Sequence, residues 1–195
     1  MAQQHTPHLP HYEGWDLFTH GHLPVMQLFL YLTLPLSVIP PVMIYYAGLA
    51  YGGVTLPALN ESQLQIICTV LFMAELAMTF VVAYVIQNLG EVIEIRPDYA
   101  DAYKLAVLVP IPLWVAPLFL FVPNFILNLT VGAFALLLSG RLIFYAVPQI
   151  LRVKVKRHAT LLSGAILAAG LVAWSAMMYI TLVTWSWVTS GMLLL

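Results

Sequence analysis

Apolar residues run along this chain in five long blocks, separated by short polar stretches. The blocks cover about residues 25–50, 64–89, 105–122, 125–150 and 160–188. Each is long enough, or nearly so, to cross about 30 Å of hydrocarbon as a helix. None shows the strict alternation of a barrel strand, so helices are the expected spanning form. The pattern predicts an all-α, polytopic membrane helix bundle with five transmembrane helices. It divides the chain into a His-rich tail or interfacial segment, residues 1–24, and a five-helix domain, residues 25–195. The first 22 residues contain no Lys or Arg and no short apolar core with a small-residue cleavage site, so a retained segment is expected. Tyr12, Trp15, Leu17 and Phe18 could lay this segment along the membrane interface.

Prolines modify the pattern in two spans. Pro35, Pro40 and Pro41 lie near the middle of the first, and Pro110, Pro112, Pro117 and Pro123 crowd the third and its end. Each interior proline removes a helical hydrogen bond and clashes with the preceding turn, so kinked or locally unwound helices are expected. Their freed carbonyls need neighbours inside a bundle. The link Val122-Pro123-Asn124 should make spans three and four a tight hairpin.

Composition changes the picture by exclusion. Of 195 residues, 62% are hydrophobic and 8% charged, with mean hydropathy +0.94. A water-facing surface needs about three times that charge density, which excludes a soluble enzyme. It also excludes a disordered chain and a nucleic-acid partner. Cys68 is the single cysteine, so no intramolecular disulfide or cysteine-based zinc site can form. Arg96 and Lys104 fall between blocks two and three, and Arg152, Lys154, Lys156 and Arg157 between blocks four and five. Both stretches lie on one side of a five-span chain, and the opposite loops carry no basic residue. The positive-inside rule therefore places the N-terminus in the cytoplasm.

Two charges fall inside apolar blocks. Glu75 sits near the middle of the second, followed at four-residue steps by Thr79, Ala83 and Gln87, a polar or small stripe suited to the bundle interior. Arg141 lies in the fourth block. Their depths differ by about 7 Å at 1.5 Å rise per residue, within reach of an Arg side chain. The expectation is an intramembrane ion pair, Glu75 with Arg141, since an unpaired buried acid is costly. The alternatives are a protonated Glu75 and an Arg141 that snorkels to the interface.

Other polar groups suggest less. His5, His8, His11, His20 and His22 occupy the tail, where imidazoles could hold zinc, copper or nickel, but Pro7 and Pro10 interrupt any helical face. No metal site is assigned. Glu91, Glu94, Asp98 and Asp101 recur at three- and four-residue steps across Pro97 and read as a solvated face. They could pair with Arg152, Lys154, Lys156 and Arg157, or that basic loop could contact anionic lipid head groups. Small residues mark expected helix-packing faces: Ala135, Ser139 and Gly140 in the fourth block, and Gly164, Ala165, Ala168, Ala169 and Ala173 in the fifth. There is no nucleotide loop, no paired intramembrane histidines for haem, and no nucleophile–base set, so neither a cofactor nor a catalytic residue is expected.

One family resemblance emerges. Trp114-Val115-Ala116-Pro117-Leu118-Phe119-Leu120, Ser139-Gly140 and Ala146-Val147-Pro148-Gln149-Ile150-Leu151 resemble segments of bacterial Yip (Ypt-interacting protein) family membrane proteins. Trp15-Asp16-Leu17-Phe18-Thr19-His20 is similar to the short aromatic segment that precedes their first span. The resemblance implies five helices and a cytoplasmic N-terminus, and no particular activity; eukaryotic relatives act in membrane traffic with small GTPases. The expected function is a non-enzymatic multi-pass protein of the bacterial inner membrane. It would act as a scaffold or accessory subunit bound to other integral membrane proteins or to itself. The alternative is a small transporter or lipid-handling protein using the proline-broken helices and Glu75. A third class is a metal-binding membrane protein using the tail histidines.

Overall fold

The structure, a computed structural model, describes residues 24–52 and 59–191. The tail with its five histidines and its aromatic segment lies outside the described residues. Among the described residues five helices are long and apolar enough to cross a membrane: α1 (Val25–Tyr51), α2 (Glu61–Val92), α3 (Tyr99–Phe121), α4 (Phe125–Ile150) and α5 (Lys156–Thr189). The bounds of α4 are those expected. The others extend into polar sequence for identifiable reasons. At the start of α2, Asn60 and Gln63 form a reciprocal capping box. The Asn60 side chain accepts from the Gln63 amide at 2.8 Å, and the Gln63 side chain accepts from the Asn60 amide at 3.0 Å. At the start of α5, Lys156 and Arg157 belong to the first helical turn rather than to the loop that sequence suggested.

The prolines break the helices where expected. In α1, residues Phe29–Thr33 form a π-helical turn. Pro35 follows closely and has no N–H to offer the Tyr31 carbonyl, which accounts for local rewinding. In α3, the α-helix over Tyr99–Leu108 stops before Pro110, resumes over Ile111–Val115, and ends as a tight 3₁₀ stretch over Ala116–Phe121. A hydroxyl contact ties the two irregular spans together: Thr33 Oγ1 lies 3.1 Å from the Tyr103 hydroxyl, with both side chains buried.

Helices α2, α3, α4 and α5 each pack on the next, with α5 closing back on α2, and α1 packs against α2 and α3. The packed core gathers in the half of the bundle nearest the basic loops. Ala83 and Ile86 of α2, Tyr103 and Val107 of α3, Val147 and Ile150 of α4, and Leu162 and Ile166 of α5 meet there. In α3, six consecutive residues, Ala102 to Val107, are buried. A helix covered on all sides at this level is the centre of the bundle.

One of those six is Lys104, 2% exposed, with Nζ 2.9 Å from Asp101 Oδ1 one turn earlier. This corrects the sequence reading, which placed Lys104 in a loop. Tyr99 to Lys104 is helical because the Lys–Asp pair at i,i+3 lets two charged residues enter a helix start. Among the described residues no ion pair joins the acids of this loop to Arg152, Lys154, Lys156 or Arg157.

Both loops at this end turn by the same device. After α2, the Ile95 amide donates to the Gly90 carbonyl at 3.0 Å and the Glu94 amide to Glu91 at 3.0 Å. After α4, the Val153 amide donates to the Pro148 carbonyl at 3.1 Å. These are Schellman closures, which need a left-handed residue at the turn. Here that residue is Glu94 (φ 62°) and Arg152 (φ 53°) rather than glycine. Glu94→Gly is therefore expected to stabilise the protein by about 1 kcal/mol, because glycine adopts this conformation without the Cβ clash. Unfolding by sodium dodecyl sulfate in mixed micelles reads the gain; unchanged stability would show that the turn carries no strain.

The opposite end is held by side chains on backbone. Gln63 Nε2 donates to the Val188 carbonyl at 3.1 Å, joining α2 to α5, and the Tyr51 hydroxyl donates to the Phe121 carbonyl at 3.0 Å, joining α1 to α3.

Candidate functional site

Away from the packed half, the bundle does not fill its own centre. A cleft of about 570 Å³ lies among the helices, lined by residues of all five. That volume falls in the range of small-molecule sites. Its shape follows from local sequence. Pro110 and Pro117 bend α3 along one wall, and Gly132 of α4 and Gly170 of α5 leave the facing walls without side chains. A Cβ added at either glycine would meet nothing within 4 Å. Nearer the basic end the two helices do close, since a Cβ on Gly140 would touch Leu167 at 3.6 Å. Several lining residues are exposed: Leu129 and Ala133 on α4, and Leu171, Trp174 and Met178 on α5. The mouth therefore lies between α4 and α5, on the lateral face that lipid would cover.

The lining is largely apolar, and its polar side chains are Glu75, Thr79, Asn128 and Ser139. Glu75 Oε2 and Ser139 Oγ are both buried and have no hydrogen-bond partner. Thr79, one turn from Glu75, is satisfied as a donor by the Glu75 carbonyl at 2.9 Å. The stripe expected to face the interior does so, with Thr79 and Ala83 buried. Buried polar atoms are nearly always paired, so two orphans on one cavity call for an explanation.

The expected ion pair is not formed. No salt bridge joins Glu75 to Arg141, and Arg141 is exposed and does not line the cleft. The physical reason is angular. Ser139 and Ile143 are the buried face of α4, and Arg141, two residues on, points about 200° around the helix from Ser139. Depth along the helix axes matches the two residues, but rotation about α4 separates them.

The expected packing faces divide. Ala135 and Ser139 are buried and Gly140 meets α5. On α5, Ala165, Ala169 and Ala173 are half-buried, and Ala173 lines the cleft. Ala168 is exposed, and a Cβ on Gly164 would meet nothing within 4 Å, so that pair of small residues is turned away from the bundle. The loop residues Arg152 and Lys154 are exposed and, with Arg96 and His158, border a second cavity of about 450 Å³ between the two basic-end loops. Among the described residues no group of His, Cys, Asp and Glu side chains is placed to hold a metal ion.

In the sequence Glu75 stands out by its charge and Ser139 by its size, and no spacing connects them. The missing signal was the pair Gly132 and Gly170, whose lack of side chains opens the space between them. Trp114, which is buried on the cleft wall, entered only through the family resemblance.

A family model described as the Yip1 domain matches residues 14–177 of the chain. No curated protein and no solved structure matches it.

Proposed function

The chain belongs to the Yip1 domain family and is a multi-pass membrane protein; on that premise we propose that it is a non-enzymatic lipid-handling protein. Its cleft takes a lipid-like guest from the bilayer through the gap between α4 and α5. The observation that carries this reading is the apolar cleft itself, lined by all five spans and edged by exposed apolar residues. A helical membrane protein gains little from leaving such a volume unfilled, because close packing drives helix association in lipid. A path for hydrophilic solutes would need a more polar lining.

Filling the cleft tests the reading. Gly132→Phe with Gly170→Phe places two rings in open space, so folding should survive. Native mass spectrometry from mild detergent should find lipid retained on the original protein at about one per chain and on the variant at least fivefold less. Equal retention by both, or none by either, overturns the proposal.

A second reading is favoured by one observation. Gly164 and Ala168 form a close-approach step facing away from the bundle, as suits a scaffold or accessory subunit docking another membrane protein. Copurification of a partner at fixed stoichiometry, lost on Gly164→Leu, would support it.

In either case we place the protein in a bacterial inner membrane with the basic loops in the cytoplasm, on the charge asymmetry of those loops. A phosphatase reporter fused after Leu195 should then be active outside the cytoplasm, and an inactive one reverses the orientation.

A further inference from the structure

Resting on the reading that the cleft holds a guest from the bilayer, we propose that this guest is an uncharged lipid headed by a hydroxyl group. Its hydroxyl is received by Glu75 and Ser139. Three observations carry the assignment, and the first is the pair of orphans. Ser139 is 5% exposed, and its hydroxyl, like Glu75 Oε2, has no partner although both line the same cavity. Each is a group whose burial is costly until something bonds it. A guest that reaches both removes that cost, which an all-hydrocarbon guest cannot do.

Depth is the second observation. Glu75 lies about 21 Å from the start of α2 and about 26 Å from its end, at 1.5 Å per residue. Ser139 lies about 21 Å and about 17 Å from the ends of α4 by the same rise. Both polar atoms therefore sit well inside the hydrocarbon. A phospholipid with its chains in the cleft keeps its phosphate at the interface and leaves the two groups unserved. A lipid whose whole head is a hydroxyl can descend to them.

The third observation is charge. Among the described residues lining the cleft, Glu75 is the only charged type, and no Lys, Arg or His joins it. An anionic head would find no cation there and would face a carboxyl group. A hydroxyl both donates and accepts. It can donate a hydrogen bond to a carboxylate oxygen or accept one from a carboxylic acid, and accept from or donate to the Ser139 hydroxyl. It suits the site in either protonation state of Glu75.

The test uses the tryptophans on the cleft wall, Trp114 and Trp174. The full-length protein in nanodiscs is titrated with lipids carrying identical brominated acyl chains, which quench indole fluorescence on contact. The heads compared are diacylglycerol, phosphatidylcholine, phosphatidic acid and a primary amine. Diacylglycerol is expected to quench at roughly tenfold lower mole fraction than phosphatidylcholine. Glu75→Leu combined with Ser139→Ala should abolish that preference, while Glu75→Gln, which can still hydrogen-bond, should keep most of it. Glu75→Leu removes an unpaired buried carboxyl, so loss of folding is not expected, and Glu75→Gln provides a nearly isosteric control. Equal quenching by all heads, insensitive to both residues, overturns the hydroxyl assignment and leaves the lipid-handling reading standing. Preference for the amine also overturns it. Absence of saturable quenching by any lipid overturns both.

Discussion

Asp101→Ala is expected to destabilise the protein by about 3 kcal/mol, the loss typical of removing one member of a buried ion pair. Lys104 is almost fully covered near the start of α3, and its ammonium lies 2.9 Å from the Asp101 carboxylate. Removing the carboxylate takes the Asp101 partner from an ammonium packed among buried residues such as Tyr103 and Leu105. The pair itself adds little net stability, since desolvation offsets most of the attraction. Asp101→Ala combined with Lys104→Met should therefore recover most of the loss. Detergent-titrated unfolding of the two variants and the original protein checks both statements. A loss under about 1 kcal/mol for Asp101→Ala would mean that water or a second partner serves the ammonium, so that Asp101 is not what holds it.

Gly90→Val is expected to cost about 2–3 kcal/mol through overpacking. A Cβ at Gly90 would lie 2.5 Å from Cδ and Cγ of Pro97. A pyrrolidine ring has no rotamer by which to yield, so the loop after α2 would have to move. That displacement would strain the turn in which Ile95 donates to the Gly90 carbonyl. Pro97→Ala in the same chain should return part of the loss. Gly164→Ala serves as the control, because a Cβ there meets nothing within 4 Å and alanine is the better helix former. If Gly90→Val and Gly164→Ala behave alike in the same unfolding titration, the contact with Pro97 does not limit the position.

Much of the fold could be read from the chain by itself. The five apolar blocks became five spans, and the bounds of α4 matched because the Asn124 cap and the turn at Leu151 bracket the fourth block. The proline-rich spans broke as expected, since the missing N–H is a property of the residue and needs no tertiary context. The Thr79 and Ala83 stripe faced inward because polar and small side chains pack better against protein than against lipid.

The errors share a different origin. Lys104 was read as loop because a charge ahead of an apolar block looks like its boundary; a buried partner one turn back made it helix interior. Arg141 was matched to Glu75 by depth, and rotation about α4 carried it to the outer face. Gly164 and Ala168 had the spacing of a packing face and ended turned outward, while the glycines that shaped the cleft, Gly132 and Gly170, carried no motif at all.

The sequence alone determined how many times the chain crosses the bilayer, where the helices weaken, and which end gathers the basic residues. Those properties follow from the transfer of each segment between water and hydrocarbon, which is nearly additive along the chain. The tertiary structure decided which face of each helix turns inward, that Lys104 is enclosed, and that Glu75 and Ser139 share a cavity. In lipid every apolar face is equally well solvated, so hydropathy cannot choose between faces. The choice rests on shape and on a few hydrogen bonds between helices, and these exist only once the helices have met.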